Sequence, residues 1–208
     1  MTQPSSDTTA TALADLMQAR RTTLPKRMYP PGPDAEQLQR ILEAAASAPD
    51  HGQLLPWRFV RIGSHARTAL GEAFAAALLE RDPQATAEQV AQAQEKAQRA
   101  PLLLLLVVDA ARGDAAIDLP ERIISAGCAV QNMLLMATAL GFGSALTSGK
   151  ALHEQALRTL FQLQSSEHAL CFISIGTVLQ AARRKRVRPV PAEYVSDLSV
   201  AGPSTDEG

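Results

Sequence analysis

At 208 residues, the chain is long enough for one domain with a substantial core. Its 20 basic and 21 acidic side chains leave a net charge of −1, which provides no overall field to attract nucleic acid or an anionic membrane. The N-terminus lacks the basic and apolar regions of a secretory signal, so we expect a cytoplasmic protein.

The first third of the chain predicts two helices and then a strand. A short helix is expected over 11–19, and the four prolines of RTTLPKRMYPPGP forbid regular helix after it. Asp34 is the expected N-cap of a second helix that ends at Pro49. The alternation in WRFVRI (57–62) favours a strand that is covered on at least one face.

Helical and strongly apolar segments alternate in the middle of the chain. Residues 64–99 predict helix that breaks at Asp82-Pro83, with a polar second half on the surface. APLLLLLVVD (100–109) is typical of a strand buried on both faces. A long apolar helix over 121–140 is expected to end at Gly141. Its polar and small residues favour a buried core or subunit-interface helix over a membrane span.

Three further elements are expected in order: a short strand or turn over 141–149, a helix over 152–163 and a strand over 168–178. The order as a whole predicts a layered sheet with helices on both faces, because the uneven spacing does not suit a regular doubly wound array. We expect one domain at 13–195 between mobile tails at 1–12 and 196–208.

Two cysteines, Cys128 and Cys171, lie in apolar runs. This placement favours buried free thiols over a disulfide, which fits a reducing compartment.

Arg20-Arg21-Thr22 is the first candidate binding segment. Two guanidiniums and a hydroxyl at a helix end are suited to a phosphate or a planar acceptor group. The alternative is a solvated helix C-terminus whose cations are favoured by the helix dipole.

The loop 49–55 is the second candidate, since it carries Asp50, His51 and Gln53 at one bend. A neutral histidine both donates and accepts, so His51 suits contact with a polar ring, general acid chemistry or a role in holding the loop together. Metal binding is not expected, because the other histidines and the cysteines are not at ligand spacing.

A basic run at 183–188 places five cations within six residues. It fits a solvated tail, a nucleic-acid patch or a segment that closes over one phosphate, and it lacks the interleaved aromatic residues typical of nucleic-acid binding. No Walker loop and no GxGxxG after a strand is present, and Ser125 and Ser148 lack the nucleophile-elbow pattern of hydrolases.

Four motifs occur in order along the chain: RRTT (20–23), APDHGQLLPW (48–57), SAGCAVQNMLLMATALGFGSALTSG (125–149) and ISIGT (173–177). Together they resemble the FMN-dependent nitroreductase family over about residues 13–190, and its short YdjA-like NAD(P)H nitroreductase branch most of all. The resemblance implies an α+β three-layer sandwich with a central, mostly antiparallel sheet flanked by helices. It also implies a homodimer formed through the long central helix, with one FMN in each of two clefts at the subunit interface.

The resemblance further implies that nine residues contact FMN: Arg20, Arg21, Thr22, His51, Leu146, Thr147, Ser148, Arg184 and Arg186. The first three would meet the ribityl chain, the phosphate and the pyrimidine edge. His51 would touch the flavin, and Arg184 and Arg186 would bind the phosphate. No residue is assigned as an obligatory acid or base.

Three departures from the family pattern bear on substrate and affinity. Thr22 replaces the usual serine and keeps the hydroxyl. Gln53 and Leu55 precede the PW pair where the family has asparagine and glutamine, and Leu-Thr-Ser at 146–148 replaces a tryptophan-arginine-serine triplet.

The expected function is therefore an oxidoreductase that passes hydride from NADH or NADPH through FMN to a nitroaromatic, a quinone or a related small acceptor. One alternative is a non-catalytic flavin-binding or flavin-sequestering dimer. Another is a helical interaction protein whose basic tail binds an anionic partner. Neither a nucleic-acid nor a membrane partner is expected.

Overall fold

Four antiparallel strands form the sheet in the computed structural model, which describes residues 6–179 and 187–198. The strands are β1 (Trp57–Arg61), β2 (Leu102–Asp109), β3 (Gly143–Thr147) and β4 (Glu167–Gly176). Their order is β1-β2-β4-β3, so β2 and β4 lie in the centre and β1 and β3 at the edges. Residues 102–108 of β2 are all buried, which confirms the strand expected to be covered on both faces.

Helices cover both faces of this sheet. They are α1 (Ser6–Ala19), α2 (Ala35–Ala45), α3 (Arg67–Arg81), α4 (Ala87–Glu95), α5 (Leu119–Ala139) and α6 (Gln155–Leu160). On one face α2 packs against α5, and on the other α3 packs against α4 and α6. The α+β layered architecture predicted from the sequence is confirmed.

The long helix α5 buries one side against the sheet and leaves another side exposed. On its inner side, Ala126, Ala129 and Met133 are fully buried, whereas Ile124 on the other side is 66% exposed. A helix that covers a sheet needs only one apolar stripe, so the second apolar side is surplus to the core of this subunit. Within the described residues, no helix combines the length and hydropathy required to cross a bilayer.

Several predicted helix ends shift, for local reasons. Asp118 caps α5 by accepting from Glu121 N at 3.1 Å, so this helix begins at Leu119 rather than at residue 121. It ends at Ala139, and Gly141 adopts the left-handed φ of +86° expected for a glycine just past a helix end.

Two other helices also differ from the prediction. The first helix starts at Ser6 instead of residue 11. The helix expected over 152–163 is shorter, because a 3₁₀ turn (Lys150–His153) precedes α6. The predicted N-cap of α2 is confirmed, since Asp34 accepts from Gln37 N at 2.8 Å in a capping box.

A buried arginine organises the loop before α5. Arg122 is 1% exposed and donates to the backbone carbonyls of Asp109, Arg112, Asp114 and Ile117 at 2.6–3.2 Å. Because every one of these acceptors is a backbone oxygen, the guanidinium fixes the path of the chain between β2 and α5.

Both cysteines are free, as expected, although each is only half-buried. Burial raises the pKa of the Cys171 thiol to about 11, so this thiol stays protonated at neutral pH.

Candidate functional site

A cavity of about 680 Å³ lies between the α3–α4 layer and the end of β3. Its apolar floor is formed by Phe74, Leu78, Leu103 and Phe172. The rings of Phe74 and Phe172 meet edge to face with centroids 5.5 Å apart. This volume and lining are typical of pockets that hold a ring-bearing small molecule.

The predicted segment 146–148 meets this cavity with two of its three residues. Thr147 and Ser148 line the cavity, whereas Leu146 lies in a small surface depression beside α5 and is 44% exposed. Successive residues of a strand point to opposite faces, so the division between Leu146 and Thr147 follows from the pleat of β3.

Arg20, Arg21 and Thr22 lie at the C-terminal end of α1, beside the start of β3. Thr22 forms an isolated parallel bridge with Ser144, and Thr23 N donates to Ser144 O at 2.9 Å. The Arg21 guanidinium is exposed and donates to the carbonyls of Gln18 and Arg20. The chain then continues into Leu24–Lys26, which line the cavity.

The hydroxyl of Ser144 is buried at this junction and makes no hydrogen bond within the described residues. Buried polar groups in proteins are nearly always paired. Ser144 lies on the same face of β3 as Leu146, so this hydroxyl points to the side of the sheet away from the cavity.

The predicted phosphate cations Arg184 and Arg186 lie outside the described residues. Arg188, at the end of the same basic run, lies within them, and its Nη2 contacts the carbonyls of Met17, Gln18 and Arg20 at 3.3–3.4 Å. The basic run therefore ends beside Arg20 and Arg21, although its residues are far from them in the sequence.

His51 lies in a different part of the molecule. Its Nδ1 is 2.6 Å from Glu121 Oε1 in the first turn of α5, and its side chain is 65% exposed. Asp50 holds the same loop, since its Oδ2 accepts from Leu55 N at 2.6 Å. Gln53 and Leu55 both have positive φ, so the loop backbone is strained where this chain departs from the family pattern.

The structure therefore does not bring His51 to the other predicted residues within one chain. His51 meets the N-terminal end of α5, whereas the bridge between Thr22 and Ser144 lies just past its C-terminal end. A 21-residue helix spans roughly 30 Å. His51 also lies just before β1, at one edge of the sheet, whereas the predicted segment 146–148 lies at the end of β3, at the opposite edge.

Five cations line the cavity, and the sequence analysis singled out none of them. Arg81 lies 3.4 Å from Glu154 Oε1, and Arg99 is paired with Glu95. The other three are Lys26, Lys96 and Lys150, which come from three separate segments. Their spacing gives no sequence signal, because only the fold brings them together. Glu121, the partner of His51, was missed for the same reason.

The described residues contain no group of three histidine, cysteine or acidic side chains placed to hold a metal ion.

A sequence model of the nitroreductase family matches residues 18–177. A Haemophilus influenzae protein provisionally named NAD(P)H nitroreductase is 35% identical over 160 residues, which cover 77% of this chain and 86% of the relative. Escherichia coli K12 YdjA, with the same provisional activity, is 32% identical over 173 residues, or 82% and 91% of the two chains. Among solved structures, the FMN and NADPH-dependent nitroreductase NfnB from sphigopyxis sp. strain HMH superposes with a TM-score of 0.71 at 18% identity, covering 90% of this chain and 99% of that one.

Proposed function

This chain belongs to the nitroreductase family and is an NAD(P)H-dependent oxidoreductase of the nitroreductase type, and we propose that it uses FMN to pass hydride to a nitroaromatic, a quinone or a related acceptor. The observation that carries the proposal is the cavity of about 680 Å³, because the predicted residues Thr147 and Ser148 line it and Thr22 pairs with Ser144 of the same strand, β3.

The residues around β3 fit a flavin mononucleotide. The apolar floor suits the isoalloxazine ring, and Thr147 and Ser148 provide hydroxyl groups in the cavity lining that can hydrogen-bond to its polar edge. Arg20 and Arg21 provide positive charge for the phosphate beside the start of β3, and the contact of Arg188 with the carbonyl of Arg20 supports a third cation there. Arg184 and Arg186 remain the proposed phosphate contacts of that run.

The chain's own residues bind, orient and shield the reacting groups. The segments 24–26 and 147–150 border the cavity and exclude bulk water from its apolar floor. Arg21 is the proposed source of positive charge beside the flavin pyrimidine. His51 or solvent supplies protons, and Glu121 holds the imidazole through Nδ1.

The separation of His51 from Arg21 supports a site shared by two subunits. A single FMN cannot meet both residues of one chain if they lie at opposite ends of α5. The exposed side of α5, with Ile123 39% and Ile124 66% exposed, is an apolar surface that a second copy would cover. We therefore place His51 of one subunit in the cleft of the other.

Spectroscopy tests the proposed cofactor. The purified protein should show flavin absorption bands, or gain them on incubation with FMN, and excess NADPH or NADH should bleach them without oxygen. An acceptor such as nitrofurazone or menadione should then restore the bands. A protein that takes up no FMN contradicts the proposal, and one whose flavin stays oxidised supports the sequestering alternative.

Complementation between variants tests the shared site. In a mixed dimer of Arg21→Ala and His51→Ala chains, one cleft has both substitutions and the other has neither. Co-expression with two affinity tags should therefore recover about half of the FMN content and activity of the unmodified dimer. If both clefts of the mixed dimer are equally impaired, the two residues belong to the same subunit's site.

A further inference from the structure

We propose that Lys26, Lys96 and Lys150 form a subsite for an anionic group on a substrate, either the carboxylate of an aromatic acceptor or the 2′-phosphate that distinguishes NADPH from NADH. The inference rests on the proposed function, because it assigns a substrate class to the cavity proposed to hold the flavin.

The lysines of this chain are concentrated at one place. The sequence has only four lysines, and three of them line the cavity. Lys26 belongs to the segment after α1, Lys96 follows α4 and Lys150 follows β3. Three segments that are distant in sequence thus each contribute one lysine to the lining of the same cavity.

These three lysines have no direct partner among the residues that the structure describes, although the charge of Lys96 acts on the nearby carboxylate of Glu95. Within the described part of the chain, none of the three side chains has a hydrogen bond or an ion pair, and no Asp or Glu lines the cavity. The neighbouring carboxylate of Glu95 is already held by Arg99, which lowers its pKa. A concave surface whose unpaired charges are all positive attracts anions, because its apolar walls concentrate the electric field.

The flavin phosphate has another set of cations. Arg20 and Arg21 lie at the end of α1, beside the start of β3, and neither lines the cavity. If those arginines meet the phosphate, the three lysines remain for a second anion. Since the acceptors of the proposed function carry a planar ring, the expected acceptor combines such a ring with a negative group.

The expected effect is moderate, because all three lysines are exposed and hydrated. Exposed charge pairs each contribute little, so three together should change selectivity by on the order of 10-fold at low salt. The preference should fall as ionic strength rises, since salt screens exposed charges over about 10 Å at 0.1 M.

The acceptor arm measures the oxidative half-reaction alone. The protein is reduced first, and stopped-flow reoxidation is followed with 4-nitrobenzoate and with its neutral analogue 4-nitrobenzamide. The ratio of the two rate constants is compared between the unmodified protein, a Lys26→Gln/Lys96→Gln/Lys150→Gln variant and an Arg27→Gln/Arg40→Gln/Arg61→Gln variant. The last removes three exposed charges that do not line the cavity. Comparing ratios cancels the intrinsic reactivity of the two acceptors.

The donor arm measures the reductive half-reaction with NADPH and with NADH on the same three proteins. A loss of about 10-fold in the preference for 4-nitrobenzoate, in the lysine variant only, identifies the acceptor's carboxylate as the anion. The same loss in the preference for NADPH identifies the 2′-phosphate. Ratios that are unchanged in both arms overturn the proposal.

Two further readouts separate this proposal from the proposed function. A lysine variant that loses FMN affinity with unchanged ratios would assign the lysines to the cofactor and overturn the anion subsite. If the protein binds no FMN at all, calorimetric titration with 4-nitrobenzoate and 4-nitrobenzamide still tests the subsite. Tighter binding of the carboxylate, abolished in the lysine variant, supports it, and equal binding contradicts it.

Discussion

The loop around Arg122 and the cavity around Lys150 use positive charge in opposite ways. Arg122 is 1% exposed and all its hydrogen bonds go to backbone carbonyls, so the fold occupies its guanidinium completely. Lys150 is exposed at the cavity and has no partner within the described residues. The first cation stabilises a loop, and the second is available to a ligand.

The difference shows how to separate structural from functional charge in this protein. Arg67 resembles Arg122, since it is 6% exposed and donates to the backbone carbonyls of residues 62, 97, 99, 100 and 101. Arg58 is paired with the buried Glu167. Substitutions in this first group should change the free energy of unfolding, whereas substitutions of Arg21 or Lys150 should change ligand binding instead.

The largest effect is expected at Arg122. Replacing it by methionine leaves four backbone carbonyls without their donor, which should lower the free energy of unfolding by about 3 to 5 kcal/mol. Urea denaturation measures this change, and Arg40→Gln, an exposed arginine on α2, is the control. A decrease in the free energy of unfolding below about 1 kcal/mol would mean that water replaces the guanidinium as the donor to these carbonyls. Arg122 would then not differ in its structural role from the exposed cavity lysines.

Arg21 should give the next largest effect, on the cofactor. Arg21→Ala should weaken FMN binding by about 1.5 to 3 kcal/mol if the guanidinium makes a charge-assisted hydrogen bond to FMN. Fluorescence titration of the apoprotein with FMN measures the affinity, with Arg27→Ala as the matched exposed arginine. Equal affinities for the Arg21→Ala variant and the unmodified protein would remove Arg21 from the site.

Glu167 links the structural charges to pH. Hydrogen bonding from Arg58, with Nε to Oε1 at 2.7 Å, lowers the pKa of the Glu167 carboxyl below its usual 4.5. The stabilisation is therefore fully present above about pH 4.5 and is lost as the pH falls through the lower folded pKa. We expect Glu167→Gln to cost about 2 kcal/mol at pH 7 and progressively less as the pH falls below about 4.5. Thermal unfolding of the unmodified protein and of Glu167→Gln between pH 3 and pH 7 measures this cost, with the exposed Glu72→Gln as control. A cost that does not change with pH would show that the ionisation of Glu167 does not contribute to stability.

The smallest effect on stability is expected at the cavity. Lys150→Gln should change the free energy of unfolding by less than about 0.5 kcal/mol, because the side chain is exposed and unpaired. A destabilisation comparable to that of Arg122→Met, seen in the same urea titration, would show that Lys150 belongs to the structural group.

Much of the fold follows from local sequence patterns. The leucine run of β2 and the alternation of β1 predict strands because backbone periodicity alone determines which side chains meet the core. Asp34 predicts the start of α2 through a capping interaction within four residues. The end of α1 at Ala19 was predicted correctly, whereas its start and both ends of α6 were not, since those positions lack a strong start or stop signal.

The candidate site was predictable only in part. The segments 20–22 and 146–148 were identified through motif resemblance, and the fold places both along β3. The lysine cluster and the contact between His51 and Glu121 gave no sequence signal, because their members come from separate elements.

The sequence by itself determined the family, the layered α+β architecture and one short part of the cavity wall, residues 147–148, because these depend on periodicity, capping and short motifs. Only the tertiary structure decided that His51 lies a helix length away from Thr22, and that three distant lysines surround one cavity. The physical reason is that strand order and helix packing, which act between residues far apart in the chain, bring side chains together or keep them apart.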